Sequence, residues 1–368
     1  MSTNGKIRVI VVDDSALVRK LLTRMLESDP GIEVVGAAPD PYAARDQIKR
    51  LDPDVITLDV EMPRMDGITF LENLMRLRPM PVVMVSSLTH DGAKVTLQAL
   101  ELGAVDFVTK PARELSVKLE DYAAEVVAKV KAAARATIRP LTNFSGTERE
   151  AFRERVKESL REAGAYEARS AGTRQRLVAI GASTGGTEAI RRVLECLPPD
   201  SPPIVISQHI PASFSGPFAE RLNSVTSLTV KEATDRAPIM PGHAYVAPGD
   251  WHLRVQRDGA RLICRIDQSE TVNRHRPSVD VMFDSVAESA GSEAVGVLLT
   301  GMGRDGAEGL ARMKASGAAT IVQDEASSTV WGMPGAAVSL GAADEILSLE
   351  QIPARMMQFA ANGRARSA

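Results

Sequence analysis

Residues Leu177–Gly186 read LVAIGASTGG. An apolar run, Leu177–Ile180, enters a glycine-rich turn that presents one hydroxyl, Ser183. Beyond it, the spacing of Ile190, Val193 and Leu194 predicts a helix from about Gly186 to Cys196. Strand, small-residue turn and helix put Ser183 near a helix N-terminus, where unpartnered backbone N–H groups stabilise negative charge on an oxygen. Gly181–Gly185 also fits G-x-S-x-G, a turn that exposes a nucleophilic serine. Two other readings share these letters: a serine that only caps the helix, and an anion-cradling loop. The loop reading lacks both a G-K-[ST] ending and a full G-x-G-x-x-G.

Outward from this turn, strand and helix keep alternating. Strands are expected at Leu177–Ile180, Ile204–Gln208, Leu228–Lys231, Ala294–Leu299 and Ala319–Val322, with a hairpin over Trp251–Ile266 turning at Asp258-Gly259. A serine hydroxyl attacks only when a neighbouring base takes its proton. His209 directly follows the second of these strands. Asp305 lies in the glycine-rich loop Thr300–Gly306, after the strand Ala294–Leu299. Ends of parallel strands converge, so Asp305 can orient His209 while His209 deprotonates Ser183. The chain order Ser, His, Asp differs from the Ser, Asp, His of α/β-hydrolases, so that fold is not implied. His243, in a Pro-Gly turn before an apolar strand, and His252, at the start of the hairpin, read as structural or solvent-facing. His275 sits in a charged loop and is a candidate for shaping the substrate site; Thr184 is grouped with it. The Met302 backbone N–H is a candidate oxyanion donor, against the plainer reading of Met302 as a packing plug.

The first half alternates strand and helix five times between Lys6 and about Lys131. Its strands are expected at Ile7–Val12, Ile32–Ala38, Val55–Asp59, Pro81–Val85 and Asp106–Thr109. Short apolar strands alternating with helices imply a parallel, doubly wound sheet, with its site beyond the C-terminal strand ends. Those ends carry Asp13, Asp14, Asp59, Ser86, Ser87 and Lys110. Three converging carboxylates call for a cation, and all-oxygen ligands favour Mg²⁺. A metal-bound carboxylate can accept a phosphoryl group, with Lys110 and a hydroxyl holding its oxygens.

From about Ala132 to Arg176 the chain is rich in Ala, Arg and Glu and reads as a linker. Within it, Thr147-Glu148-Arg149-Glu150 fits a capping box, and Phe152, Val156 and Leu160 recur every four residues. A short amphipathic helix is expected, either solvated or docked. The expected division is therefore 1–131, 132–176 and 177–368. The two cysteines, Cys196 and Cys264, are read as buried thiols in helix and strand. The net charge of −3 gives no general basic character, no helix-turn-helix pattern follows the linker, and no apolar run spans a bilayer. The expected protein neither binds nucleic acid nor inserts into membrane. The N-terminus has no signal-peptide core, and a cytoplasmic location is expected.

Two resemblances follow from these motifs. The first half resembles a response-regulator receiver domain, on Asp13–Asp14, the run Asp59–Gly67, Ser86 and Lys110-Pro111. That resemblance implies that Asp59 takes phosphate from a histidine kinase and that Asp13, Asp14, Asp59 and the Glu61 carbonyl bind Mg²⁺. It also implies that Ser86, Phe107 and Lys110 carry the switch. Phe107 lacks the hydroxyl of the commoner tyrosine. Leu177 to about Ala361 resembles the catalytic domain of the chemotaxis protein-glutamate methylesterases. The carrying motifs are Ile180–Glu188, Gln208–Pro211, Pro241–Asp250, Asn273–Asp280 and Thr300–Gly306. The family's triad falls on Ser183, His209 and Asp305, and its oxyanion donor on the Met302 backbone. The implied activity is hydrolysis of glutamyl methyl esters on chemoreceptors, releasing methanol, together with deamidation of receptor glutamines and no metal in that step. The implied control is a receiver that limits substrate access until Asp59 is phosphorylated. Alternatives are an esterase of the same family serving a receptor outside motility and a non-enzymatic regulator whose second half only binds a partner.

Overall fold

A computed structural model describes residues 5–110, 119–138, 146–162 and 176–362. They divide into two compact units, Met1–Ser145 and Gly146–Ala368.

The first unit begins with β1 (Ile7–Val12), α1 (Ala16–Glu27), β2 (Ile32–Ala38), α2 (Pro41–Leu51), β3 (Val55–Asp59) and α3 (Gly67–Leu77). It continues with β4 (Val82–Ser86), α4 (His90–Glu101), β5 (Asp106–Thr109) and α5 (Leu119–Ala133). Its five strands are parallel, in the order β2-β1-β3-β4-β5. The strands are short and apolar because both faces are covered by helices. Val9 and Val11 of β1 pack with Leu22 and Leu26 of α1 and with Val126 and Val130 of α5. The chain reverses direction across the sheet between β1 and β3, which opens a crevice at their C-terminal ends.

The second unit contains α6 (Gly146–Glu162), β6 (Leu177–Ala182), α7 (Gly186–Leu194), β7 (Ile204–Gln208), α8 (Ala212–Val225), β8 (Thr229–Glu232) and β9 (His243–Val246). An antiparallel hairpin follows, β10 (His252–Asp258) and β11 (Arg261–Asp267). The rest comprises α9 (Val279–Ser289), β12 (Ala294–Leu298), α10 (Ala307–Ala315), β13 (Ala319–Gln323), α11 (Met333–Ser339), β14 (Glu345–Leu347) and α12 (Ile352–Asn362). Seven strands form a parallel sheet in the order β14-β13-β12-β6-β7-β9-β8. Leu177 and Ala179 of β6 join a core with α9, α10, α11 and the hairpin. Strand alternation turns Val178 and Ile180 to the opposite face. Here β6 is the starting strand; the chain first builds outward through β7 and later returns to β12 on its other side. The switch point therefore lies at the C-terminal ends of β6, β7 and β12.

Several expected boundaries move. The helix after the serine ends at Leu194, and Cys196 lies in the turn beyond it, buried. The hairpin turns one residue later than expected. Asp258 pairs with Arg261, and Gly259 supplies the positive φ of 58° at the first loop position, where a type II′ turn needs glycine. The short edge strand β14 was not expected. Within the segment read as linker, α5 reaches Ala133, and α6 packs on α12 inside the second unit. Phe152, Val156 and Leu160 are buried, the Arg192 guanidinium lies 4.0 Å from the Phe152 ring centroid, and Arg153 pairs with buried Glu195 at 3.1 Å. The side chains of the expected capping box at residues 147–149, and Pro111, lie outside the described residues.

Candidate active site

The serine turn works because two of its glycines are required. At Gly181 a Cβ would sit 2.2 Å from the Val279 Cγ1 methyl. Gly185 adopts φ +74°, which only glycine takes without strain, and caps α7 with no side-chain bond. Ser183 is therefore not the helix cap. Its backbone N–H donates to the Thr300 carbonyl at 3.0 Å, tying the β6 turn to the loop after β12. Gly301 in that loop lies against the serine: a Cβ there would be 2.8 Å from Ser183 Cβ. Met302, half-buried, follows directly. Thr184 is buried, and its carbonyl accepts from Thr300 Oγ1 at 3.0 Å.

The structure brings Ser183, His209 and Asp305 together. His209 Nδ1 lies 3.1 Å from Ser183 Oγ, and His209 Nε2 lies 2.7 Å from Asp305 Oδ2. Asp305 is an acceptor only, so Nε2 carries the proton and Nδ1 is free to accept from the serine hydroxyl. The ring is thus used the opposite way round from the chymotrypsin arrangement, in which Nε2 faces the serine. Gln208 Nε2 donates to the carbonyls of Ser183 and His209, at 3.0 and 3.1 Å, and so fixes both backbones.

Asp305 is saturated with donors. Oδ2 also accepts the Val279 N–H at 2.7 Å; Oδ1 accepts Asn273 Nδ2 at 2.7 Å, Ser278 Oγ at 2.8 Å and the Asp280 N–H at 3.3 Å. The N-terminus of α9 is therefore aimed at this carboxylate. Burial alone would raise its pKa, but the bonds from His209, Asn273 and Val279 outweigh burial and hold it well below the usual range. His275 stacks on the base, with ring centroids 3.6 Å apart and planes at 14°. Two other histidines lie outside the relay. His243 bonds the Pro241 carbonyl at 2.9 Å. His252, fully buried, contacts the Glu270 carbonyl through Nε2 at 3.0 Å and the Ser278 N–H through Nδ1 at 3.2 Å.

In the first unit, the ends of β1, β3 and β5 gather an acidic pocket. Carboxylate oxygens of Asp13, Asp14 and Asp59 lie within 4.8 Å of one another. Lys110 Nζ is 2.8 Å from Asp59 Oδ2 and 3.9 Å from Asp13 Oδ2. Asp13 Oδ2 is buried and accepts no hydrogen bond. Burial, and then the charge of Asp59, push the Asp13 carboxyl up to about 6. Asp59 is also raised by burial, against the pull of Lys110. A buried carboxylate oxygen with no donor beside two further carboxylates fits a divalent cation. The Glu61 N–H donates to Asp59 Oδ1 at 3.2 Å. Ser86 Oγ lies 2.6 Å from Thr96 Oγ1 on α4, and 3.2 and 3.3 Å from the Ser87 and Gly92 carbonyls. Phe107 is buried with Lys129 Nζ 5.0 Å from its ring centroid.

Comparison with known proteins decides the family. Residues 178–356 match the CheB methylesterase family, and residues 9–120 match the response regulator receiver domain. A protein-glutamate methylesterase/protein-glutamine glutaminase 1 of Xanthomonas euvesicatoria pv. vesicatoria (strain 85-10) is 58% identical over 367 residues, covering 99% of this chain and 100% of the relative. The chain belongs to the CheB methylesterase family. A protein-glutamate methylesterase/protein-glutamine glutaminase of Hydrogenovibrio crunogenus (strain DSM 25203 / XCL-2) is 52% identical, covering 96% of this chain and 98% of its own. The solved CheB methylesterase catalytic domain of Thermotoga maritima superposes with a TM-score of 0.50 at 38% identity, covering 51% of this chain and all of that domain. Among the described residues of this CheB chain, no helix is long and apolar enough to cross a membrane.

Three groups at the CheB site carry geometry that the sequence did not single out: Gln208, Asn273 and Ser278. Each lies inside a motif that was noticed, beside a residue with more obvious chemistry. Asn273 carried one usable signal, since asparagine tolerates the positive φ of 53° it adopts here.

Proposed function

We propose that the chain hydrolyses glutamyl methyl esters on chemoreceptors, releasing methanol, and deamidates receptor glutamines, under control of phosphorylation at Asp59. The observation that carries the chemistry is the relay from Ser183 Oγ through His209 to the saturated Asp305 carboxylate. The full-length relatives named for both activities support the substrate.

His209 Nδ1 takes the Ser183 proton as Oγ attacks the side-chain carbonyl. Asp305 stabilises the imidazolium that forms. The oxyanion faces the Met302 N–H beside Gly301, while His275 and Thr184 flank the substrate side. His209 returns the proton to the leaving methoxide, and methanol departs. Water, deprotonated by the same Nδ1, then cleaves the acyl-serine; His209 returns that proton to Ser183 Oγ, and a glutamate leaves. With a glutamine the leaving group is ammonia. This step uses the chain's own groups.

In the first unit, Asp13, Asp14, Asp59 and the Glu61 carbonyl are the groups that would hold Mg²⁺, which when bound offsets the charge of an incoming phosphoryl group. Asp59 attacks a kinase phosphohistidine, and Lys110 and Ser86 hold the phosphoryl oxygens. Ser86 must then leave Thr96 and the Gly92 carbonyl, which alters how α4 is held. Phe107 takes part in the same switch through packing, since it has no hydroxyl to bond. A cytoplasmic setting fits a kinase as phosphodonor and a receptor as substrate.

The test is methanol release from methylated chemoreceptor membranes, with and without a small phosphodonor and Mg²⁺. Ser183→Ala is expected to lose roughly 10⁴- to 10⁶-fold in rate, and wild type is expected to speed up with phosphodonor. Release that ignores the phosphodonor would remove the regulation, and no release from wild type would remove the ester reading.

A further inference from the structure

The loop between β11 and α9 contains a tight turn, Val272 to His275. The Val272 N–H donates to the His275 carbonyl at 3.1 Å, and the His275 N–H to the Val272 carbonyl at 2.9 Å. Both central residues have positive φ, 53° at Asn273 and 68° at Arg274. That is the geometry of a type I′ turn, comfortable for asparagine and costly for arginine. The turn reaches the relay at two points. His275 covers the face of His209. Asn273 Nδ2 lies 2.7 Å from Asp305 Oδ1 and 2.7 Å from Asp280 Oδ2.

The second contact matters because Asp280 and Asp305 are two buried carboxylates side by side. Asp280 Oδ1 accepts the Gly309 N–H at 2.6 Å, and Arg312 stands 4.0 Å away, itself drawn to Asp284 and Glu308. Burial and the neighbouring Asp305 charge push the Asp280 carboxyl up. An amide nitrogen has two hydrogens, and here each one serves a different carboxylate.

We infer that Asn273 is a positioning residue for the triad: it keeps Asp305 committed to His209 and Asp280 committed to Gly309. This rests on the serine-hydrolase reading above and extends it to the group that holds the acid. Without the bridge, the two like charges would face each other with no donor shared between their side chains; Asp305 would keep Ser278 Oγ and the Val279 and Asp280 N–H groups, and Asp280 the Gly309 N–H. One would protonate or turn away, and the carboxylate that orients His209 would lose its fixed angle.

The experiment is steady-state methanol release by the full chain. Asn273→Ala is expected to lower kcat roughly 100-fold with KM little changed, the size of effect that a small misplacement of a catalytic group produces. Asn273→Asp keeps the shape, loses both donors, and should fall at least as far; it also serves if the alanine variant folds poorly. Adding Asp280→Asn to Asn273→Ala removes one charge and supplies a new amide donor, and should recover about tenfold, as coupled neighbours do. A purely structural role in the loop would give no such recovery. An unchanged kcat, a change in KM alone, or no recovery in the double variant would overturn the inference. Labelling of Ser183 by a fluorophosphonate runs in parallel, because it reads triad geometry without the ester. If wild type releases no methanol but labelling follows the same ranking, the substrate reading falls and the inference stands.

Discussion

Two parallel sheets in this chain carry carboxylates at the same kind of place, yet the two sites are in opposite electrostatic condition. At the crevice between β1 and β3, Asp13 has a buried oxygen with no donor and a carboxyl pushed up to about 6. At the crevice between β6 and β12, Asp305 accepts from His209, Asn273, Ser278 and the first N–H groups of α9, and is held low. The first site is short of positive charge and stable only at a cost; the second has all the partners it needs. A site that must receive a cation and a phosphoryl group keeps an unmet demand. A site that must only orient a base does not.

The largest break in this comparison comes from Asp305→Asn. The amide would point a donor or a weaker acceptor at His209 Nε2 and favour the wrong tautomer. Ester hydrolysis should fall by about 10⁴-fold. A loss under tenfold would mean that the saturated carboxylate is scenery.

Asp13→Asn probes the opposite condition, and it should stabilise the fold. A carboxyl whose folded pKa is raised from 3.8 to about 6 favours the folded state below 3.8 and loses that advantage as pH rises through 6. At pH 8 the asparagine variant should gain about 3 kcal/mol in the first unit's unfolding free energy. The gain should vanish towards pH 4, and also in saturating Mg²⁺, which relieves wild type but not the variant. Denaturant melts at the two pH values measure this. A destabilised variant at pH 8 would show that Asp13 is already compensated.

The smallest effect separates the halves. Both cysteines lie in the second unit, at positions 196 and 264, and burial pushes each thiol up to about 12. At pH 8 they stay protonated and shielded, so alkylation by iodoacetamide should wait for that unit to open. Mg²⁺ should raise the melting point of the first unit and leave the alkylation rate unchanged. A slower rate with Mg²⁺ would show that cation binding is felt in the second unit.

Much of this was legible in the sequence because parallel sheets collect chemistry at one edge. Ser183, His209 and Asp305 each lie beyond the C-terminal end of a run that reads as a strand (Leu177–Ile180, Ile204–Gln208 and Ala294–Leu299), and Asp13 and Asp59 sit likewise at the ends of Ile7–Val12 and Val55–Asp59. Periodicity locates the runs, and topology does the rest. What escaped is conformation within loops. Nothing in the order of residues shows that Asn273 turns back onto two carboxylates, because that depends on two positive φ angles in succession. No pattern says which imidazole nitrogen faces the serine. The edge strand β14 has three residues and no apolar run, so it leaves no signal. The stripe Phe152, Val156, Leu160 announced a helix and left open whether it is solvated or docked. That the partner is α12 in the second unit depends on tertiary packing, which a local stripe cannot specify.

The Val279 methyl that fills the space beside Gly181 has a consequence for how this sequence can drift. A Cβ at Gly306 would also meet that methyl, at 2.5 Å. One valine on α9 thus stands guard over a glycine in the serine strand and another in the aspartate loop. Gly306 has a second bar, its φ of +86°, whereas Gly181 has ordinary backbone and the valine is its nearest obstacle. In a diverging lineage, alanine at position 181 becomes tolerable only after position 279 has become smaller, and the reverse order is closed. The path of substitution through the nucleophile's strand is therefore set by a side chain that takes no part in the reaction.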